Sequence, residues 1–442
     1  MNWQQLLSSN RTDSTTESAK PDRSEFEKDF DRIIFSLPFR RLQDKTQVFP
    51  LPEDDFVHNR LTHSLEVSSV GRSLGKLAGE EIIARHKDLS GQVSASDFGA
   101  IISAASLAHD VGNPPFGHSG ENAISDFFKF NPILEELKPS LNESEWADII
   151  NFEGNAQGFR LINQSLYGLK LTYATLGAFT KYPRQSLINN KDKGRASQKK
   201  YGFYQSEKEI FTLVANQLGL LQQDSEPIWN RHPLAFLVEA ADDICYHIID
   251  LEDGCTLGLV SLEESVALLK PIIGHKFDEK KFNAKESQHE KLGILRAMAI
   301  NELIGQTVEV FIDHETAILN GSFDKPLTSL ISSAKAMSDI KLLSIERIYR
   351  AQLVLEKEIA GFEVIHGLLG ALIKAVLGFT TGRSSNHDKT LMRSLPQNVT
   401  HYLLPDKLYH NLRVVLDFVS GMTDSHALTM YRKLKGMSLP SW

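Results

Sequence analysis

Apolar residues recur every three or four positions along most of the chain, which is the spacing of helices that bury one face. Strict alternation of apolar and polar residues, which is typical of strands, is almost absent, and we expect at most a short hairpin near residues 46–57. The pattern therefore predicts an all-α protein. The long helical patterns cover about residues 60–87, 97–109, 155–166, 232–253, 286–320 and 343–378.

Serine followed three residues later by glutamate predicts several helix starts, because such a pair can cap backbone N–H groups reciprocally. The pairs that precede apolar periodic runs are Ser24 and Glu27, Ser206 and Glu209, and Ser261 and Glu264. We expect a helix to begin at each of these three places.

Three regions differ in polarity and in candidate chemistry. Residues 1–23 are mostly polar and predict a flexible N-terminal segment. Residues 24–260 carry the candidate site residues and predict a helical catalytic core. Residues 261–442 predict a C-terminal helical region with few catalytic candidates.

Composition narrows the class of protein. The 442 residues are 41% hydrophobic and 24% charged, as in ordinary globular domains. The two cysteines are too few for a disulfide framework, and neither a signal segment nor a long apolar span is apparent, so we expect a cytoplasmic protein without a membrane partner. A net charge of −8 argues against indiscriminate nucleic-acid binding, and the sequence leaves open the role of the basic stretch at residues 185–204.

A His-Asp pair, His109 and Asp110, ends an apolar run and is followed by Gly112. An isolated pair of this kind most often only caps a helix end. A helix terminus, however, lets adjacent side chains converge on one point, and a buried polar pair is costly unless a partner compensates it. With His63 and Asp242, the pair forms a nitrogen and oxygen ligand set suited to a divalent ion such as Mn, Fe, Mg or Ni.

An acidic helix supplies the downstream carboxylate. Asp242, Tyr246 and Asp250 are spaced four residues apart and therefore stack along one helix face. Asp243 lies about 100° away around the helix and cannot share that face. We therefore expect Asp242 to be the ligand and Asp243 to pair elsewhere, whereas the competing interpretation is a solvated acidic edge.

Other polar residues suit proton transfer and phosphate binding. His118 lies on a loop rich in proline and glycine and precedes Glu121 by three residues, so that the carboxylate could orient the imidazole as an acid or base. Arg60 lies three residues before His63 on the same helix face and could neutralise phosphate charge. A rigid turn adds two cations and an aromatic ring: Lys181, Tyr182 and Arg184.

The motifs that contain these residues closely resemble the bacterial dGTP triphosphohydrolase-like branch of the HD-domain superfamily. They span most of residues 24–255, whereas the C-terminal third is similar only in its helical character. The motifs are Phe39-Arg-Arg-Leu-Gln-Asp-Lys-Thr-Gln47-Val, Asn59-Arg60-Leu-Thr-His63-Ser-Leu-Glu-Val, Ala108-His109-Asp110-Val-Gly-Asn-Pro-Pro-Phe-Gly-His118, Phe152-Glu-Gly-Asn-Ala-Gln157, Thr180-Lys181-Tyr182-Pro-Arg184 and Val238-Glu-Ala-Ala-Asp242-Asp-Ile-Cys-Tyr246.

The resemblance implies an HD-type core over residues 24–260 that hydrolyses a deoxynucleoside triphosphate to the deoxynucleoside and inorganic triphosphate. The implied metal ligands are His63, His109, Asp110 and Asp242. The implied catalytic pair is His118 and Glu121. Family members are homo-oligomers, often hexamers, and several are regulated by a second dNTP or by single-stranded DNA, so the resemblance implies such partners here.

The resemblance also implies substrate contacts. Gln47 and Asp250 fall on positions that contact the sugar 3′-hydroxyl, and Tyr246 falls on the residue that packs against the deoxyribose and excludes a 2′-hydroxyl. The positions that fall in the phosphate region are Arg60, Lys181, Tyr182 and Arg184.

Two other functions remain open from the sequence. Another HD phosphohydrolase, acting on a nucleotide monophosphate or a cyclic dinucleotide, would use the same ligands but has no reason to keep Gln47, Tyr246 and Asp250 together. A regulatory protein that binds single-stranded DNA would use the basic stretch at residues 185–204, and salt-sensitive DNA binding without triphosphate release would favour it.

Overall fold

The computed structural model describes residues 1–12, 23–48, 58–223 and 226–437. Within these ranges the chain forms helices and isolated β-bridges without a strand, which confirms the all-α prediction. The α-helices of the first half are α1 (Trp3–Leu6), α2 (Glu25–Ile34), α3 (Leu37–Arg40), α4 (Arg60–Arg85), α5 (Ala95–Ala108), α6 (Gly117–Phe130), α7 (Pro132–Leu137), α8 (Glu143–Ile150), α9 (Gly154–Asn163), α10 (Tyr173–Phe179) and α11 (Lys208–Leu218). Those of the second half are α12 (Pro233–Thr256), α13 (Leu262–Ile273), α14 (Glu279–Asn283), α15 (Gln288–Asp313), α16 (Glu315–Leu319), α17 (Ala334–Leu343), α18 (Gln352–Thr380), α19 (Asn386–Ser394), α20 (Gln397–Thr400), α21 (Leu408–Ser420) and α22 (Asp424–Leu434).

The long predicted helices are present, but two of the predicted ranges are interrupted. The range 286–320 is divided at His314, where α15 ends and α16 begins. The range 343–378 begins with a π-helical turn, Ser344–Ile348, and α18 starts only at Gln352. The break between them leaves Tyr349 outside a regular helix.

The predicted capping boxes formed at two of the three places. Ser24 with Glu27 and Ser261 with Glu264 each make both reciprocal bonds, at the starts of α2 and α13. The prediction at Ser206 was wrong, because α11 starts at Lys208 after a 3-10 turn. The Ser206 hydroxyl donates to the neighbouring Glu207 carboxylate at 2.8 Å, so a local side-chain bond replaces the helix cap.

Helices α4 and α5 pack closely through small residues. A Cβ atom on Gly75 would lie 2.7 Å from the carbonyl oxygen of Phe98, and one on Gly71 would lie 2.6 Å from the Ser106 hydroxyl oxygen. Because an earlier residue of α4 faces a later residue of α5, the two helices are antiparallel. This packing brings the start of α4 beside the end of α5, while α12 packs across both helices.

Two hydrophobic cores hold the helices together. The first contains residues from Trp3 to Val354, including the inner faces of α4, α5, α12 and α15. The second joins α6 and α8 to the helices α18 to α22. The packing therefore does not divide at residue 260, since residues 262–354 share the core of the preceding half and α6 packs with the C-terminal helices.

The N-terminal residues differ from the predicted flexible segment 1–23. Trp3 and Leu6 on α1 are 3% and 0% exposed, and the Trp3 indole donates to Glu315 Oε1 at 2.8 Å. Apolar side chains at the very start of the chain therefore bind it to the first core. Residues 13–22 lie outside the described residues, as do residues 49–57 of the predicted hairpin, of which only a bridge between Thr46 and Asn59 is described.

One helix differs from the expectation that the chain has no long apolar span. An 18-residue stretch within Val354–Thr380 of α18 has a mean hydropathy of 1.7, and the helix is long and apolar enough to cross a membrane by length and composition alone. Half of this stretch is buried inside the fold, and its apolar side chains, such as Leu368 and Leu372, lie in the second core. This is the packing of a core helix.

The close approach of α4 and α5 gives a stability prediction. Gly75→Ala should lower the free energy of unfolding by about 1–3 kcal/mol, because the new methyl group would overlap the backbone of α5. Gly305→Ala is the matched control within α15, where no atom lies within 4 Å of the added methyl group and helix propensity gives about 0.5–1 kcal/mol of stabilisation. Urea denaturation followed by circular dichroism measures both, and a Gly75→Ala variant more stable than wild type would contradict the packing.

Candidate metal-dependent active site

The end of α5 and the start of α4 bring three potential metal ligands together. Ligand atoms of His63, His109 and Asp110 all lie within 4.8 Å of one another. His63 is 2% exposed on the first turn of α4, and His109 immediately follows the last residue of α5. Their ring centroids are 5.4 Å apart. The helix terminus thus allows the adjacent His109 and Asp110 to converge, as the sequence predicts.

Asp242 on α12 completes the cluster. Its Oδ1 lies 3.3 Å from His63 Nε2 and 3.6 Å from His109 Nε2. The carboxylate of Asp243 instead accepts a hydrogen bond from the Thr328 hydroxyl at 2.7 Å, so it pairs elsewhere, as the helical spacing predicts. The structure therefore places the Asp242 carboxylate beside the two imidazoles of the group formed by His63, His109 and Asp110.

The surroundings of the cluster orient its donor atoms. His109 Nδ1–H donates to the carbonyl oxygen of Ser106 at 2.7 Å, which leaves the Nε2 lone pair free. Asp110 accepts a bond at 2.7 Å from Arg60 and a second from the Asn113 side-chain amide. Partners of this kind fix the tautomer and orientation of metal ligands. The donor set and its supports fit a divalent metal ion.

Charge is concentrated at the cluster. Burial opposes ionisation of Asp110, but the Arg60 guanidinium and the neighbouring His109 hold its pKa at about 2. Burial likewise opposes ionisation of Asp242, yet the two imidazoles and Lys181 keep the pKa of Asp242 below its ordinary value. Both carboxylates are therefore ionised near neutral pH, which is the form that binds a cation.

His118 and Glu121 form the predicted pair on the first turn of α6. His118 Nδ1–H donates to Glu121 Oε2 at 2.9 Å, and Glu121 Oε1 accepts from the backbone N–H of Gly154 at 2.7 Å. The side chain of His118 is 75% exposed, so its Nε2 is accessible. A Cβ atom on Gly117 would lie 2.9 Å from an Arg60 nitrogen, which places the start of α6 against the Arg60 that holds Asp110.

A lysine that sequence reasoning missed lies next to this pair. Lys200 Nζ lies 3.9 Å from Glu121 Oε2 and 3.1 Å from Glu153 Oε1. Burial opposes its ionisation, but the two carboxylates raise the pKa of Lys200 above its ordinary value. Lys200 belongs to the basic stretch at residues 185–204, and no spacing in the sequence distinguishes it from the other lysines there.

The predicted turn places Lys181 beside the cluster. Lys181 Nζ lies 3.8 Å from Asp242 Oδ2 and 3.5 Å from Glu239 Oε1. The buried ring of Tyr182 lies within 6 Å of both Lys181 Nζ and the Arg231 guanidinium, at 5.9 and 5.8 Å. Arg231 in turn donates to Glu239 at 2.7 Å and to the Lys181 carbonyl oxygen at 2.8 Å, so this buried network positions Lys181.

Arg184 lies apart from these residues. Its guanidinium is 4% exposed and donates to the backbone carbonyl oxygens of Gln185, Ser186 and Gln198. Burial lowers the pKa of Arg184 to about 10. These contacts close the 185–198 segment onto itself, and a phosphate contact for Arg184 stays a prediction.

The face of α12 that carries Asp242 also carries Tyr246 one turn later and Asp250 two turns later. Gln47 lies before the start of α4, and its Oε1 is buried without a hydrogen-bond partner among the described residues. Burial raises the pKa of Asp250 to about 7, although the Tyr349 hydroxyl donates to it at 2.7 Å. The rings of Tyr246 and Tyr349 are 5.5 Å apart. Tyr349 was missed because it lies 99 residues from Asp250 and outside any predicted site motif.

Comparisons with known proteins agree with this geometry. Residues 60–151 match the HD domain family, and residues 332–433 match the phosphohydrolase-associated domain family. The first match contains His63, the His109-Asp110 pair and His118. Fold and site thus define a hydrolase of the HD-domain phosphohydrolase class.

Curated relatives narrow the family further. A deoxyguanosinetriphosphate triphosphohydrolase-like protein of Synechocystis sp. is 43% identical over 99% of this chain and 100% of the relative. A protein of the same name from Pseudomonas aeruginosa is 40% identical over the full length of both chains, 100% of each. A deoxyguanosinetriphosphate triphosphohydrolase of Salmonella paratyphi A is 31% identical over 92% of this chain and 93% of the relative. The chain belongs to the deoxyguanosinetriphosphate triphosphohydrolase-like family.

The ligand geometry predicts how two adjacent aspartates differ. Asp242→Asn should weaken divalent-metal binding more than about 100-fold, since losing even an outer-shell partner costs about 10–100-fold. Asp243→Asn, the matched control one residue along α12, should keep the metal because its carboxylate faces Thr328. Elemental analysis after dialysis and circular dichroism check both variants. Equal metal content in the two folded variants would refute Asp242 as a ligand.

Proposed function

We propose that the protein is a metal-dependent deoxynucleoside triphosphate triphosphohydrolase, which converts a dNTP and water to the deoxynucleoside and inorganic triphosphate. The observation that carries the proposal is the order of groups along one face of α12. Asp242 contacts both imidazoles of the cluster, Tyr246 follows one turn later, and Asp250 follows two turns later. A nucleotide whose α-phosphate meets the cluster would therefore lay its sugar along this face.

The four-ligand cluster would hold the metal ion, with His63, His109, Asp110 and Asp242 as ligands and Mn, Mg, Fe or Ni as the candidate ions. The chemistry that a divalent ion supplies in such a ligand set is Lewis-acid polarisation of a phosphate oxygen. With two nitrogen and two oxygen ligands from the protein, a bound ion would still be able to bind a phosphate oxygen of the substrate.

Three cations around the cluster neutralise the charge of the triphosphate. One guanidinium nitrogen of Arg60, Nη1, donates to Asp110. Its buried Nε has no hydrogen-bond partner among the described residues and could donate to a phosphate oxygen. Lys181 lies on the Asp242 side, and Lys200 lies on the Glu121 side. Fixed cations in a partly buried site stabilise developing negative charge more than they would in water. Arg184 contributes by closing the segment that leads to Lys200.

His118 transfers the proton. Its Nδ1–H is engaged by Glu121, so proton transfer takes place at the exposed Nε2. Cleavage of the bond between the α-phosphorus and the 5′-oxygen consumes one water and leaves a proton on the nucleoside 5′-oxygen. Glu121 fixes the imidazole tautomer, and its own bond from Gly154 fixes the carboxylate.

Gln47, Tyr246 and Asp250 select the sugar. The buried Gln47 Oε1 without a partner is an acceptor suited to a 3′-hydroxyl, since an orphaned buried acceptor is costly until a ligand pairs it. Asp250 is held by the Tyr349 hydroxyl and lies on the same helix face as Tyr246. The neighbouring rings of Tyr246 and Tyr349, tilted by 31° to each other, would present bulk where a 2′-hydroxyl would project.

Regulation, assembly and location complete the proposal. The family resemblance supports a homo-oligomer, with the hexamer as the candidate size, and control by a second dNTP or by single-stranded DNA. The basic stretch at residues 185–204 would supply lysines for DNA. Both cysteines are free and buried on α12, which supports a reducing, cytoplasmic setting.

Product analysis tests the function. Purified protein is incubated with each dNTP, singly and in pairs, with Mn or Mg, and the products are resolved by ion-exchange chromatography. The expected products are deoxynucleoside and inorganic triphosphate in equal amounts. Formation of deoxynucleoside monophosphate and pyrophosphate, or DNA binding without hydrolysis of any dNTP, would contradict the proposal.

His118→Ala should lower kcat by about 10²–10⁴, the range for loss of a general acid or base, while metal content stays unchanged. His387→Ala is the matched control, because its side chain is 73% exposed on α19 and remote from the cluster in the second-core helices. It should leave kcat within about twofold, as expected for a surface substitution. Loss of metal in His118→Ala would show that His118 acts as a ligand and not in proton transfer.

Sugar selection gives a separate prediction. The wild-type protein should hydrolyse dGTP, reject GTP, and act poorly on 2′,3′-dideoxy-GTP, because a polar site loses far more from an unpaired hydroxyl than an apolar pocket loses from a missing methyl group. Tyr246→Ala should admit GTP, whereas Tyr246→Phe keeps the ring and should still exclude it. Asp250→Ala should narrow the gap between deoxy and dideoxy substrates. Equal kcat/KM for GTP and dGTP in the wild type would refute the sugar-selecting face.

A further inference from the structure

A buried carboxylate of the C-terminal helices binds two segments of the candidate site at once. Asp424, the first residue of α22, is 1% exposed. Its Oδ2 accepts from the Thr46 backbone N–H at 3.1 Å and from the Thr46 hydroxyl, and its Oδ1 accepts from the Phe116 backbone N–H at 2.9 Å. Thr46 directly precedes Gln47, and Phe116 lies two residues before His118.

A buried ammonium group reinforces the same junction. Lys45 is 3% exposed, and its Nζ donates to the carbonyl oxygens of Asn113 and Ser420, the latter at 2.8 Å. Ser420 is the last residue of α21, and the side chain of Asn113 donates to Asp110. Residues 45–46 and 113–116 are therefore tied both to each other and to α21 and α22.

The junction holds an unfavourable backbone conformation in place. Phe116 has a φ of 64°, which is left-handed, and it immediately precedes α6. Such a conformation is unfavourable for a bulky residue and persists only where surrounding contacts impose it. Here the contacts are the bond to Asp424 and the close approach of α18, where a Cβ atom on Gly361 would lie 2.9 Å from the Phe116 ring. The left-handed turn sets the direction in which α6 presents His118.

We infer that Asp424 is a positioning residue, through which the C-terminal helices fix both His118 and Gln47 in their working geometry. The inference rests on the proposed function for the roles of these two residues. Asp424 has no direct contact with the metal-ligand cluster among the described residues. It acts through the backbone N–H groups of Thr46 and Phe116, which lie close in sequence to Gln47 and His118. Without these bonds, the two segments would be placed independently of each other.

Asp424→Asn tests the inference with little change in shape, because one of the two acceptor oxygens becomes an NH₂ group, which cannot accept from the backbone N–H of either Thr46 or Phe116. The expected result is a kcat reduced about 10- to 100-fold, as for a small displacement of reacting groups, with metal content unchanged. The preference for deoxy over dideoxy substrates should also fall. Asp388→Asn is the matched control, since Asp388 is 4% exposed on α19 and bonds only its own helix cap at Ser385 among the described residues.

A double-mutant cycle separates positioning from general destabilisation. If Asp424 affects kcat through His118 and the sugar preference through Gln47, adding Asp424→Asn to His118→Ala should lower kcat by less than about twofold further, while the preference for deoxy over dideoxy substrates should still fall. Independent effects of the two substitutions, multiplying in full, would overturn the inference. An equal loss of kcat in Asp388→Asn would also overturn it.

Hydrogen–deuterium exchange gives a readout that does not require activity. Peptides covering Thr46 and Phe116 should exchange faster in Asp424→Asn than in wild type, while peptides of α4 and α5 stay protected. If Asp424→Asn folds poorly, two variants of Thr46 replace it. Thr46→Val lacks the hydroxyl donor and should accelerate exchange in the peptides that cover Thr46 and Phe116. Thr46→Ser keeps a hydroxyl donor and should leave that exchange unchanged. Unchanged exchange in both Asp424→Asn and Thr46→Val would refute the positioning role of Asp424. Absence of dNTP hydrolysis in the wild type would refute only the proposed function.

Discussion

Helices α4 and α5 approach so closely that there is no room for a side chain between Gly75 and the backbone of α5, where a Cβ atom would lie 2.7 Å from the Phe98 oxygen. Because the helices are antiparallel, this contact fixes the start of one beside the end of the other. His63 and His109 stand at those two ends, 5.4 Å apart between ring centroids. The carboxylate of Asp242 then reaches both imidazoles from α12, which packs across the pair. The ligand cluster is thus a consequence of backbone packing more than of any local motif.

The second core has a different relation to the site. Its helices pack against the apolar face of α6, the helix that carries His118. The carboxylate of Asp424 and the ammonium of Lys45 tie this core to the segments before Gln47 and His118. The phosphohydrolase-associated region, residues 332–433, is therefore bonded to the segment before His118, which lies within the HD match, and to the segment before Gln47, which precedes that match.

Residues whose chemistry depends on helical spacing were predictable from the sequence. The separation of Asp242 from Asp243, the convergence of His109 and Asp110 at a helix end, and the His118–Glu121 bond all follow from local geometry. Lys200, Tyr349 and Asp424 were not predictable, because their partners lie tens to hundreds of residues away and only tertiary packing joins them. The predicted capping box at Ser206 did not form, because the Ser206 hydroxyl donates to the neighbouring Glu207 carboxylate and not to a helix N-terminus. Local periodicity determines which face a residue occupies, but not which distant residue meets it.

We propose that water attacks the α-phosphorus of a deoxynucleoside triphosphate bound between the metal-ligand cluster and the Tyr246 face of α12. Hydrolysis in water labelled with heavy oxygen, followed by mass spectrometry of both products, tests it most directly. Attack at the α-phosphorus places the label in the inorganic triphosphate and leaves the nucleoside 5′-oxygen unlabelled. Label in the nucleoside, or in a released monophosphate or pyrophosphate, would contradict cleavage between the α-phosphorus and the 5′-oxygen by attack of water at phosphorus.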